Sequence, residues 1–233
     1  MKYLKKFLEA TEIKHANNLT DVLFKGNFKE VDNAANLISQ EWGYKIIKKL
    51  GEGSWGIAYL LDDNKVLKLT LNKKEVQYAY KFSKRHTKNL TNYYNVIKVN
   101  YGGLIFFALL MDYVYPLTKE EKKIYEDISI RFFYYSDLIE GITNPEDLKI
   151  QIDDFIHDMK ADGDWGKYDK KVIYNVFKQI RNIALEVKKY KIVDPWEMHS
   201  DNLGKKIDGD WVYFDVIVKE ANVDISKIKT LEL

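Results

Sequence analysis

The sequence predicts an α+β fold in two lobes: a small antiparallel β lobe with one helix, a mainly helical lobe after it, and a helical extension ahead of both. Three observations lead there. Short β-type runs follow one another between residues 44 and 114, with one helical segment among them. Apolar residues recur at helical spacing from Tyr168 to Tyr190. Gly51, Gly53 and Gly56 form a G-x-G-x-x-G frame that leads from one strand into a second, and a third strand carries Lys68 between apolar neighbours. The boundaries drawn are 1–43 for the extension, 44–114 for the β lobe and 115–233 for the helical lobe.

Taken in order, residues 1 to about 45 read as helices, an appended cap with Leu4, Phe7 and Leu8, then Leu19, Val22 and Leu23, at helical spacing and a break near Gly26-Asn27. Strand-type runs follow at 44–50, 57–61, 66–71, 96–101 and 104–111, with a helix over 73–82 and a turn at Asp62-Asp63-Asn64. Residues 118–162 mix charges with Ile, Phe and Tyr, as surface helices do, and spell no motif. The next helix repeats Val172, Ile173, Val176, Phe177, Ile180, Ile183, Ala184 and Val187 on one face, so it is expected to be well buried. It leads into the loop Asp194-Pro195-Trp196-Glu197-Met198-His199-Ser200-Asp201-Asn202-Leu203-Gly204, and a hairpin turning at Asp208-Gly209-Asp210 continues into 211–216.

Composition bounds the class. With 233 residues, 46% of them hydrophobic, the chain can bury one large core or two small ones. Its 37 basic and 35 acidic residues leave a net charge of +2, too little to draw it to nucleic acid or to an anionic membrane. The absence of cysteine excludes a disulfide framework, a thiol nucleophile and a thiolate metal site. The basic N-terminus runs into polar residues instead of an apolar signal core, and no run of about 18 apolar residues occurs, so a cytoplasmic protein without a membrane partner is expected. Heavy use of Lys, Asn, Ile and Tyr is what an AT-rich genome encodes, a hint of a phage or viral source and then of the host cytoplasm.

The glycine frame beside Lys68 suggests a clamp for nucleotide phosphates, because bare backbone lets phosphate oxygens approach and a lysine on the next strand meets them as a point charge. Dinucleotide-binding folds use the same glycine letters but lead from strand to helix, whereas this frame leads into a strand. The order of glycine turn, strand lysine and helix carboxylate resembles the protein-kinase-like superfamily, in particular its compact bacterial and phage members. Glu75 is the only carboxylate between Asp63 and Asp112, hence the partner such a site requires for Lys68. The stretch Asp112-Tyr113-Val114 resembles the lobe connection, and the resemblance implies that the backbone of Asp112 and Val114 bonds the adenine of ATP. Glu197-Met198-His199-Ser200-Asp201-Asn202 resembles the catalytic loop of small-molecule and phage kinases. By that resemblance Asn202 and Asp215, thirteen residues apart (215 − 202), hold magnesium, and Glu197, with Lys68 and Glu75, belongs to the catalytic set.

Each residue also has a plainer reading. The glycines suit any hairpin turn, and Lys68 on an alternating strand points either to solvent or inward to a partner. Trp55 packs over the turn or marks a substrate-side contact. His199 stands without other histidines nearby and fits loop ordering better than zinc. Ser200-Asp201-Asn202 matches a serine-hydrolase motif whose companion motifs are missing, and Asp194 is either a base or a turn residue before Pro195.

Two departures from the family bear on activity. Glu197 stands where the resemblance calls for aspartate, and its extra methylene displaces the carboxylate by about an ångström, a misplacement that can change rate on the order of a hundredfold. No glycine follows Asp215, and only 18 residues come after it (233 − 215), too few for the peptide-docking helices of ordinary protein kinases, so the helical lobe is expected to be truncated. The expected function is therefore an ATP- and magnesium-dependent transfer of phosphate to protein Ser/Thr hydroxyls. The alternatives are a pseudokinase acting as a nucleotide-binding interaction module, a small-molecule kinase, and an unrelated adaptor using its basic N-terminal helix on nucleic acid. A protein substrate or partner is expected in either of the first two cases.

Overall fold

The computed structural model of the chain describes residues 24, 27–53, 56–83, 85–132, 150, 153–154, 157, 168–190, 200–214 and 223–233. The fold is mixed α+β, with its larger sheet mostly in the N-terminal part, and its contacts divide the chain into two compact units.

The first unit comprises the described residues of Met1–Tyr80, Tyr94–Met111 and Asp224–Leu233. Its elements are α1 (Phe28–Glu41), β1 (Ile46–Gly53), β2 (Gly56–Leu61), β3 (Lys65–Thr70), α2 (Lys73–Phe82), β4 (Tyr93–Tyr101), β5 (Leu104–Asp112) and, near the C-terminus, β9 (Thr230–Glu232), with α2, β4 and β5 each reaching just past the division. The six strands form one sheet in the order β1-β2-β3-β5-β4-β9. β1, β2 and β3 are antiparallel, and the turn after β2 places Asp63 and Asn64 in the left-handed region at φ 59° and 52°, which short Asx side chains tolerate. Gly102 and Gly103, at φ 55° and 87°, make the tight turn from β4 to β5, where both positions require positive φ.

Two features of this unit differ from the expected small antiparallel sheet with one helix. β9 pairs in parallel with β4, matching Lys98 to Thr230, Val99 to Leu231 and Asn100 to Glu232. And α1, which the sequence reading leaves in an appended cap, is built into the core. Val31, Ala34, Ala35 and Ile38, spaced i, i+3, i+4 and i+7, are buried in one cluster with Ile57, Leu67, Leu69, Val99, Phe106 and Ala108 of the sheet. The two alanines let the helix lie close to the strands, and its rim is tied by Tyr59 Oη donating to Asp32 Oδ1 at 2.9 Å and Tyr101 Oη to Glu30 Oε2 at 2.7 Å. The apolar positions 4, 7, 8, 19, 22 and 23 lie outside the described residues.

The second unit comprises the described residues of Lys81–Tyr93 and Asp112–Val223. It holds β6 (Tyr115–Pro116), α3 (Lys119–Phe132), α4 (Lys170–Tyr190), β7 (Leu203–Lys205) and β8 (Trp211–Tyr213), with a single 3-10 turn at Ser200–Asn202. β6, β7 and β8 form a three-stranded antiparallel sheet, and Gly209 at φ 86° closes the β7–β8 hairpin. α4 buries Ile173, Val176, Phe177, Ile180, Ile183 and Val187, whereas Val172 and Ala184, at the margins of that face, are half-buried. The backbone N–H of Trp211, a fully buried residue, donates to Gln179 Oε1 at 3.1 Å. α3 starts with a capping box: Thr118 Oγ1 accepts the Glu121 N–H at 3.2 Å and Glu121 Oε2 accepts the Thr118 N–H at 2.8 Å. Among the described residues, no helix is long and apolar enough to cross a membrane.

Candidate functional site

In the first unit the glycine frame is a β-hairpin, with Gly53 paired to Gly56 across the two residues 54 and 55. Its glycines are not equivalent. A Cβ on Gly56 would stand 2.6 Å from the Leu69 carbonyl oxygen and 3.4 Å from Lys68 Cε, so the close approach of β3 requires glycine there. At Gly51 and Gly53 φ is not positive, and nothing among the described residues beyond their chain neighbours lies within 4 Å of where a Cβ would stand. The described residues therefore place no demand for glycine at 51 and 53; the effect of these glycines is to leave the hairpin backbone bare, as close approach of a ligand needs.

Strand alternation sends Leu67 and Leu69 into the core shared with α1 and turns Lys68 to the opposite face. There Lys68 Nζ lies 2.6 Å from Glu75 Oε1, with the lysine side chain 20% exposed and the glutamate 2%. A carboxylate buried to that degree is tolerated only when paired and hydrogen-bonded. Glu75 meets both conditions, because Thr70 Oγ1 also donates to its Oε2 at 3.1 Å. The helix start is held by side-chain caps. Asn72 Oδ1 accepts the N–H groups of Lys74 at 3.1 Å and Glu75 at 3.3 Å, and Thr70 Oγ1 accepts the Asn72 N–H at 3.0 Å. Thr70 and Asn72 thus fix the carboxylate that fixes the lysine. Sequence reasoning passed over both, although Asn immediately before a helix is a readable cap.

In the second unit Asn202 closes the turn Ser200–Asn202, which α3 holds by two side-chain contacts. Ser200 Oγ donates to Glu126 Oε1 at 2.8 Å and Lys122 Nζ pairs with Asp201 Oδ1 at 2.8 Å. The Asn202 carbonyl accepts the Phe214 N–H at 2.8 Å, so Asn202 stands opposite the residue that precedes Asp215. Asp112 ends β5, and its Oδ2 accepts from Asn92 Nδ2 at 3.0 Å. Val114 packs against Gly204, where a Cβ would come within 2.3 Å of Val114 Cγ1. Glu197 and Asp215 lie outside the described residues, as do Trp55, Asp194 and His199.

The residues of the first unit fit a nucleotide phosphate: bare backbone at Gly51 and Gly53, and a lysine positioned by a buried carboxylate. The oxygen donors assigned to magnesium, the Asn202 amide and the Asp215 carboxylate, are of the hard type that ion takes. Among the described residues, no group of three or more His, Asp or Glu side chains is placed to hold a metal ion.

No family model matches the chain, and no curated protein matches it. Among solved structures it is similar to the kinase PK-1 of Cydia pomonella granulovirus, at 18% identity and a TM-score of 0.26. That match covers 46% of this chain and 48% of the viral one, so the chain spans about half the length of that kinase. A likeness of this extent carries no argument for activity.

Proposed function

We propose that the chain is an ATP- and magnesium-dependent phosphotransferase of the protein-kinase-like fold, acting on protein Ser/Thr hydroxyls. The observation that supports it most is the Lys68–Glu75 ion pair, buried at the carboxylate and partly exposed at the ammonium, with Lys68 Cε beside the glycine hairpin. A structural pair that served stability alone would be an inefficient choice, since apolar residues of similar size hold such positions as well or better. In this reading the backbone of Gly51, Gly53 and Gly56 covers the phosphates, and Lys68, held by Glu75, neutralises their charge. Asp112 and Val114 offer backbone groups to the base. Asn202 and Asp215 hold magnesium. Glu197 orients the acceptor hydroxyl and takes its proton. Bound ATP supplies the transferable γ-phosphoryl group, and the chain's part is positioning and charge neutralisation.

The test has two stages. Titration with ATP and magnesium should raise the melting temperature of the wild type and not of Lys68→Ala. Incubation with γ-labelled ATP and a host lysate should transfer label to protein; binding without transfer or turnover would remove the enzyme and leave the pseudokinase. Glu197 in place of aspartate is what favours that second reading. Glu197→Asp distinguishes the two, because an enzyme built around glutamate loses rate on the exchange.

A further inference from the structure

We infer that Asn92 is a positioning residue that sets where the segment 112–115 meets the base of a bound nucleotide, an inference that rests on the phosphotransferase reading. Asn92 is buried and immediately precedes β4. It grips Asp112 twice, its carbonyl accepting the Asp112 N–H at 3.1 Å and its Nδ2 donating to Asp112 Oδ2 at 3.0 Å. The other end of its amide is held as well, since Oδ1 accepts the Thr87 N–H at 2.7 Å and faces Thr87 Oγ1 at 3.1 Å. With donor and acceptor both engaged, the amide plane has one orientation.

The loop that carries Thr87 and Asn92 is anchored in turn to the β7–β8 hairpin. Lys206 Nζ donates to the carbonyls of Thr87 at 2.9 Å and Lys88 at 2.8 Å, and Asn89 Nδ2 donates to the Trp211 carbonyl at 2.9 Å. The far end of the segment is set by Gly204: a Cβ there would stand 2.3 Å from Val114 Cγ1 and 2.6 Å from the Tyr115 carbonyl oxygen, so Val114 and Tyr115 lie directly on the β7 backbone. Recognition of a base by backbone groups tolerates little displacement, because a hydrogen bond weakens steeply outside its narrow range of distance and angle. Asn92 at one end and Gly204 at the other supply that placement. None of these contacts involves the phosphate clamp of the first unit.

Binding of ATP with magnesium, followed by calorimetry, tests this. Asn92→Asp removes the donor and sets a carboxylate against Asp112; the expected dissociation constant rises about tenfold, as loss of a hydrogen bond to a charged group does. The exchange Asn92→Asp/Asp112→Asn restores a donor and an acceptor with the direction reversed, while position 92 still accepts from Thr87, and should bring affinity back to within about threefold of wild type. A second arm avoids reliance on one variant's folding: Gly204→Ala should weaken ATP binding, and Val114→Ala added to it should recover part of the loss. Unchanged affinity in Asn92→Asp or Gly204→Ala, or an exchange variant as weak as Asn92→Asp, overturns the inference and leaves the phosphotransferase reading standing. A wild type that binds no ATP removes that reading and this inference with it.

Discussion

Lys68 and Glu75 illustrate how a charged pair is kept inside a sheet-and-helix unit. Burial opposes both charges, and the pair survives because its members lie 2.6 Å apart and Thr70 adds a further donor to the carboxylate. Removing one charge and removing both are therefore unequal in stability tests. Lys68→Met removes the counter-ion of a buried carboxylate and is expected to destabilise the fold by roughly 2–4 kcal/mol, while Lys68→Met/Glu75→Leu, which removes both charges, should recover more than half of that loss in urea denaturation. If the phosphotransferase reading holds, neither variant should respond to ATP. The contact itself was legible in part, because Glu75 is the only carboxylate between Asp63 and Asp112. Which way Lys68 points was not, since alternation allows either face until a helix covers one of them.

Helix starts carry much of the positional information. Asn72 caps α2 through two backbone N–H groups, one of them that of Glu75 itself. Asn72→Ala should lower stability by about 1 kcal/mol. If the phosphotransferase reading holds, its catalytic rate should fall further than that loss of fold explains, because the first turn that aims Glu75 then frays. The capping box of α3 stands in the sequence as Thr118-Lys119-Glu120-Glu121, a T-x-x-E signal legible without the structure. α1 was harder to place. Its buried stripe contains two alanines, which contribute little to a periodicity count yet permit the tight approach to the sheet. Ile38→Ala, a deletion in that fully buried core, is expected to lower stability by about 2–4 kcal/mol, measurable in the same urea titration.

Each unit has a tie between segments far apart in the chain. In the second unit Glu121 joins the start of α3 to β7 by pairing with Lys205 at 2.9 Å. Burial pushes its carboxyl up, but the Thr118 amide and hydroxyl and the Lys205 ammonium together outweigh burial and hold it below its ordinary value of 4.5. A carboxylate lowered in the folded state contributes stability that is fully present above its unfolded pKa and is lost as pH falls through the folded one. Melting temperature should therefore drop more steeply below about pH 4.5 in the wild type than in Glu121→Gln, which lacks the titrating group. In the first unit β9 closes the β4 edge, with the Lys98 N–H donating to the Lys229 carbonyl at 3.0 Å and the Leu233 N–H to that of Asn100 at 2.9 Å. Removing residues 229–233 should lower stability by about 2–3 kcal/mol and promote concentration-dependent association through the bare edge, visible in sedimentation.

Local chemistry was written in the chain itself. Short apolar runs bounded by turn residues placed β2, β3 and β5, the 3.6-residue period placed α4, and glycine with Asx residues marked the turns, because each of these signals acts between neighbours in sequence. Chemistry-bearing residues such as Lys68, Glu75 and Asn202 could be nominated on the same basis. The tertiary structure decided what depends on distant segments meeting: the order β1-β2-β3-β5-β4-β9, the parallel seat of a three-residue strand too short to show a period, and the covering of one sheet face by α1. It also decided that close backbone approach demands glycine at Gly56 and Gly204, while nothing among the described residues does so at Gly51 and Gly53. Those facts arise from contacts between residues far apart along the chain, for which the energy is a property of shape and not of any local pattern.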